Sequence, residues 1–133
     1  MTVFKNSCDR LSLYKKAGCL PIMIAKVMIM NKIETIEQFE QLLTREPRVF
    51  FLKHSLTCPI SAHAYREMDQ FLREHPREKG YFLAVQESRE LSNYIARKFG
   101  IQHESPQAFL FINQRPVWYD SHYQITADTL AKI

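Results

Sequence analysis

The stretch Arg48 to Ala62, RVFFLKHSLTCPISA, decides the fold. Its first six residues, Arg48 to Lys53, form a compact apolar run of the length a buried strand requires, and the strand is expected to end at His54-Ser55. After Thr57-Cys58-Pro59 the apolar positions change to helical spacing, with Ile60, Ala64, Met68, Phe71 and Leu72 on one face as far as His75-Pro76. Pro59 suits a first helical position, where a missing N–H costs nothing. Cys58 therefore stands where a strand hands over to a long helix.

Upstream, Thr35 and Gln38 have capping-box spacing, and Ile36, Phe39, Leu42 and Leu43 share one face of a short helix that Glu46-Pro47 stops. Downstream, Gly80 precedes a second strand at Tyr81 to Gln86. Ser88 can cap a helix carrying Leu91, Ile95 and Phe99, with Gly100 where a left-handed terminal residue is wanted. Ala108 to Ile112 is a third strand, Asn113 to Pro116 a turn, and Val117 to Tyr119 a fourth strand. Thr126 caps a last helix, with Ile125 and Leu130 placed as a hydrophobic staple. Helix, βαβ, helix, β-hairpin, helix is the thioredoxin-like order, an α/β fold with a mixed four-stranded sheet flanked by helices. The right-handed crossover rule makes the first two main strands parallel neighbours, and the hairpin supplies an antiparallel pair.

The 133 residues suit one domain, and 46% hydrophobic with 24% charged residues is a globular balance. With 3 glycines and neither a GxGxxG nor a GxxxxGK[ST] string, glycine-rich phosphate loops are excluded. The net charge of +4 comes from cations scattered among acids along the whole chain, not from the clustered basic face of a nucleic-acid binder. Lys5, Arg10, Lys15 and Lys16 before the apolar run Ala17 to Ala25 superficially resemble a signal peptide. Pro21 and Lys26 cut that run short, Lys16 spoils a lipoprotein reading of Ala17-Gly18-Cys19, and no membrane anchor is predicted. Regular signals begin at Met30. Residues 1–29 are expected to be an extension upstream of a misplaced start, or a loosely attached tail, and residues 30–133 the domain.

Cys8, Cys19 and Cys58 are an odd number with no CxxC, so a disulfide framework is not expected and a reducing compartment is the natural home. Nothing local activates Cys8 or Cys19. Cys58 differs, because unpaired N–H groups and the helix dipole favour negative charge at a helix N-terminus and hence a thiolate. Such a thiolate attacks little faster than an ordinary one, since nucleophilicity falls with basicity, but it leaves readily when a second thiol attacks a mixed disulfide. Ser61 stands where a dithiol oxidoreductase has its second cysteine. It cannot close a disulfide; its hydroxyl either donates to the Cys58 thiolate or is an ordinary polar group on a helix. Tyr65 either flanks the thiol or packs, and Phe109, Phe111 and Trp118 read as core or sheet-face residues. The five histidines form no HxH or HxxxH pair, and no metal site is expected.

Lys53-His54-Ser55, Thr57-Cys58-Pro59-Ile60-Ser61-Ala62 and Ala64-Tyr65-Arg66 together resemble the monothiol bacilliredoxins of the YtxJ-like branch. The resemblance continues in Glu87-Ser88-Arg89, His103-Glu104-Ser105-Pro106-Gln107-Ala108, and Val117-Trp118 with Ser121-His122, and it covers about residues 30–133. It implies a cytoplasmic, monothiol thiol-disulfide oxidoreductase that strips bacillithiol, a cysteinyl-glucosaminyl malate thiol, from S-bacillithiolated proteins by way of a Cys58-bacillithiol mixed disulfide. No cofactor is then bound. Bacillithiol is the thiol co-substrate, and S-bacillithiolated proteins and a flavin disulfide reductase are the implied partners, with no nucleic acid or membrane. Cys58 and Ser61 would be catalytic, and Thr57, Pro59, Ser105, Pro106, Lys53 and His54 would contact substrate. Ser105-Pro106 falls in the loop that carries a cis proline in thioredoxin-like proteins. Lys53, His54 and Arg66 would either attract the malate carboxylates or be solvated surface charge. Two other classes compete. One is a glutaredoxin-like iron-sulfur carrier, although CPIS departs from the CGFS of those proteins; the other is a thioredoxin-fold binding module with an incidental cysteine.

Overall fold

The computed structural model describes residues 29–133, so Cys8, Cys19 and nearly all of the expected extension lie outside the described residues. The elements are β1 (Asn31–Lys32), α1 (Ile36–Arg45), β2 (Arg48–His54), α2 (Pro59–Glu74), β3 (Gly80–Ala84), α3 (Arg89–Phe99), β4 (Gln107–Ile112), β5 (Arg115–Ser121), a 3₁₀ turn (His122–Gln124) and α4 (Ala127–Ala131). They form one sheet in the order β1-β3-β2-β4-β5. β2 runs parallel to β3 and antiparallel to β4, which pairs antiparallel with β5. The sheet thus has five strands where the sequence predicts four. The fifth is β1, two exposed polar residues parallel to β3, too short to leave a hydrophobic period.

Alternation along β2 builds two cores. Val49 and Phe51 face α1 and α3 with Phe39, Leu42, Leu83, Ile95, Phe109 and Phe111. Phe50 and Leu52 face α2 and α4 with Ala64, Met68, Phe71, Leu72, Leu110 and Leu130. All of these are buried, as is expected of a central strand covered on both faces. The capping box Thr35–Gln38 is present. Thr126 Oγ1 accepts from Thr129 N–H, and Ile125 and Leu130 are both buried in the second core as the staple requires. Gly100 ends α3 with φ of 66°. The hairpin closes on Asn113 and Gln114, with φ of 51° and 70°; positive values at both central positions are what a two-residue turn with primed geometry demands, here met without glycine.

Three local expectations shift. Pro116 lies inside β5, next to a register irregularity opposite Leu110/Phe111, which an edge strand tolerates. Ser88 occupies the N-cap position of α3, but its buried hydroxyl makes no capping bond. On α2 the buried face is led by Ser61 rather than Ile60, which is only half-buried. Among the described residues no helix is long and apolar enough to cross a membrane.

Candidate active site

Cys58 is the N-cap residue of the 16-residue α2, with extended backbone (φ −105°, ψ 122°). Its carbonyl accepts the first helical bond, from Ala62 N–H at 3.0 Å, while its side chain makes no capping bond. The thiol is unoxidised and half-buried, and no acidic residue sits in the first turn of α2. The N–H groups of Ile60 and Ser61 have no carbonyl four residues back in the helix, and the positive end of the helix dipole lies at the residue that carries the thiol.

The approach to Cys58 is held from two sides. Ser61, fully buried, accepts a hydrogen bond from Ser55 N–H at 2.8 Å, and its Oγ lies 2.8 Å from His54 Nδ1. These two contacts occupy the Ser61 hydroxyl, and a bond to Cys58 is not among them. His54 packs against Tyr65 with the rings tilted, 5.0 Å between ring centres, and Tyr65 meets Phe82 edge-on at 5.3 Å, so Tyr65 packs. Burial holds the His54 imidazole below the usual histidine range. From the other side Gln86 spans the loop: its Oε1 accepts from Leu56 N–H at 3.0 Å, and its Nε2 donates to Ser55 Oγ at 2.9 Å and Thr57 Oγ1 at 3.4 Å. Thr57 and Pro59 are exposed beside the sulfur, and so is Leu56, at 51%.

Because Lys53 pairs with Gln107 in the β2–β4 ladder, the exit of β2 and the entry to β4 share one end of the sheet. Ser105-Pro106 is there, and its peptide bond is cis. The Pro106 carbonyl accepts from His122 N–H at 3.1 Å, and the buried Ser105 Oγ has no hydrogen-bond partner among the described residues. Lys53 does not join this group. The sequence offers it substrate carboxylates or solvent, but alternation along β2 turns it, with Val49 and Phe51, onto the α3 face, fully buried. Its Nζ donates to the Ser92 carbonyl at 3.0 Å and lies 3.3 Å from His103 Nδ1, and burial pushes its pKa down to about 8. Arg66 is exposed. His54, Thr57, Cys58, Pro59 and Ser61 thus lie on one strand-loop-helix junction, with Ser105 and Pro106 at the same sheet end. Sequence reasoning places Gln86 at the end of the second strand and misses its role; β3 ends at Ala84, and Gln86 lies in the turn that follows.

Among the described residues no three His, Cys, Asp or Glu side chains converge as metal ligands would. The family model for monothiol bacilliredoxin BrxC matches residues 31–130. A solved structure of a candidate oxidoreductase with a thioredoxin fold is 48% identical, covers 78% of this chain and 92% of its own, and superposes with a TM-score of 0.76. Mitochondrial thioredoxin 3 of Saccharomyces cerevisiae in its oxidised form is 14% identical over 77% of this chain and 91% of its own, with a TM-score of 0.63. Fasciola hepatica thioredoxin is 14% identical over 77% of this chain and 94% of its own, with a TM-score of 0.64. The last two show the thioredoxin fold. The first two matches support a thiol redox role.

Proposed function

This chain belongs to the monothiol bacilliredoxin family, and from that premise we propose that it removes bacillithiol from S-bacillithiolated proteins through a Cys58-bacillithiol mixed disulfide. The observation that carries the reading is the half-buried Cys58 at the N-terminus of α2, with no second cysteine among the described residues to resolve it internally. In the first step the Cys58 thiolate attacks the bacillithiol sulfur of the client mixed disulfide. The old S–S bond breaks, the client cysteine leaves as a thiolate and takes a proton from water, and the oxidation level is conserved. In the second step a bacillithiol thiolate attacks the sulfur carried by Cys58, forming oxidised bacillithiol and returning the Cys58 thiolate, whose ease of departure the helix terminus favours. A flavin disulfide reductase would then supply electrons to oxidised bacillithiol, and the setting would be the cytoplasm.

In this reading Thr57, Pro59, Ser105 and Pro106 are the substrate-contacting residues: Thr57 and Pro59 are exposed next to Cys58 in the chain, and Ser105 and the buried Pro106 lie at the same sheet end. Ser61 and His54 act behind it by fixing the junction, because the Ser61 hydroxyl is engaged by Ser55 and His54. Mass spectrometry after mixing the protein with oxidised bacillithiol tests the proposal. The expected result is a single adduct on Cys58 with the mass of bacillithiol less the two hydrogens lost in forming a disulfide. Cys58→Ser should form no adduct and leave a bacillithiolated client unchanged; comparable turnover by Cys58→Ser would refute the assignment. A protein that takes up an iron-sulfur cluster on anaerobic reconstitution and leaves the client modified would instead be a carrier.

A further inference from the structure

Lysine is almost never fully buried unless it is paired, yet Lys53 is 0% exposed and is in none of the ion pairs among the described residues. Its neighbours are a backbone carbonyl (Ser92), an imidazole nitrogen (His103) and the ring of Phe109, 5.9 Å from Nζ to its centre. None of them offsets a buried positive charge as a carboxylate would, and a methionine would fill the same volume without a polar atom to desolvate. Fold stability therefore gives no reason for an amine here.

The geometry offers another. His103 Nδ1 also lies 3.1 Å from Ser92 Oγ, so this nitrogen faces two donors and the ring is assigned as the Nε2–H tautomer from its contacts. His103 stands three residues before cis Pro106. Gln107, the ladder partner of Lys53, grips the same loop by donating to the Gln102 carbonyl at 3.0 Å and accepting from Glu104 N–H at 3.3 Å. The segment from Ile101 to Pro106 is thus tied down from inside at one level of the sheet, by Lys53 and Gln107 together. The His103 side chain is otherwise exposed, so the Lys53 and Ser92 contacts are what fix it.

We propose that Lys53 is a positioning residue of the thiol site: from the far face of the sheet it holds His103, and through His103 the loop that carries Ser105 and Pro106 at the sheet end where Cys58 stands. This rests on the reading that Cys58 is the reacting thiol. Lys53→Met is the test, followed by the rate at which Cys58 forms its mixed disulfide with oxidised bacillithiol, by alkylation with iodoacetamide, and by the imidazole nitrogen shifts of His103. A displaced loop should slow the disulfide reaction by about tenfold, leave alkylation within about twofold because that reagent needs only the sulfur, and convert His103 from one tautomer to a mixture. A folded Lys53→Met protein that reacts with oxidised bacillithiol as fast as wild type, or keeps His103 in its single tautomer, overturns the proposal. Should Lys53→Met fail to fold, His103→Ala breaks the same link from its exposed side. It should show the same loss, and an unchanged rate sinks the proposal equally. If wild type reacts with oxidised cysteine but not with oxidised bacillithiol, the functional reading fails, and the Lys53 comparison is decided on the cystine reaction.

Discussion

His54 Nδ1 and Ser61 Oγ stand 2.8 Å apart, joining the last residue of β2 to the first turn of α2 across the loop that carries Cys58. The same hydroxyl accepts from Ser55 N–H at 2.8 Å. Ser61→Ala removes the partner of both groups in a buried place, which costs about 1–3 kcal/mol when no water replaces it. Urea unfolding of Ser61→Ala should register that loss. Disulfide exchange should slow without disappearing, because Cys58 keeps its place at the helix terminus. A variant as stable as wild type would mean that the serine only fills space.

Two histidines make the fold sensitive to acid. Burial lowers the pKa of His54, and burial followed by the nearby Lys53 amine lowers that of His103. A group whose folded pKa is depressed contributes stability that is complete above its unfolded value of about 6.5 and is lost as pH falls through the folded value. Unfolding free energy should therefore decline as pH drops below about 6.5, beyond the decline common to all carboxylates. In His54→Gln/His103→Gln the histidine share of that slope should vanish. Parallel stability curves for the variant and wild type between neutrality and weak acid would contradict this.

Gln86 separates rate from stability. It is exposed, so Gln86→Ala should change unfolding free energy by no more than about 1 kcal/mol. It also bridges Leu56, Ser55 and Thr57, and its loss frees the loop that aims Cys58. Stopped-flow measurement of mixed-disulfide formation should show a rate several-fold below wild type, roughly in line with about 1 kcal/mol of lost positioning. An unchanged rate would show that the helix terminus alone aims the sulfur.

The parts legible in the sequence are those encoded by local chemistry. Pro59 after an apolar run placed Cys58 at the N-cap, and the capping pairs Thr35–Gln38 and Thr126–Thr129 need only their own helices. What stayed hidden depends on partners far along the chain. Lys53 sits in an apolar run, but whether its amine meets solvent or the α3 face is set by strand parity and by Ser92 and His103, 39 and 50 residues away. Gln86 reaches Leu56 across 30 residues. β1 is too short for any period, and only β3 beside it makes it a strand. Spacing along the helix pairs Ser61 with Cys58, whereas the bend after β2 brings His54 and Ser55 to it first.

Lys53 gives the sharpest pH signature. Its amine, with an ordinary pKa of 10.5, is pushed to about 8 by burial alone. Between these values the unfolded chain binds a proton that the folded chain does not, so stability rises with pH across this window and falls again as pH drops through about 8. Allowing for partial solvent screening, the gain is on the order of 2 kcal/mol. Tyr65 works in the opposite sense, because burial, followed by the Asp69 charge, raises its phenol pKa, so wild type alone does not isolate the lysine. The difference between wild type and Lys53→Met does, since both proteins keep Tyr65. Lys53→Met should be the more stable protein at neutral pH, with its advantage shrinking as pH climbs past 8 towards 10.5. Denaturant titrations at intervals across that range measure it directly. A constant difference between the two proteins would show that the amine keeps its proton in the folded interior.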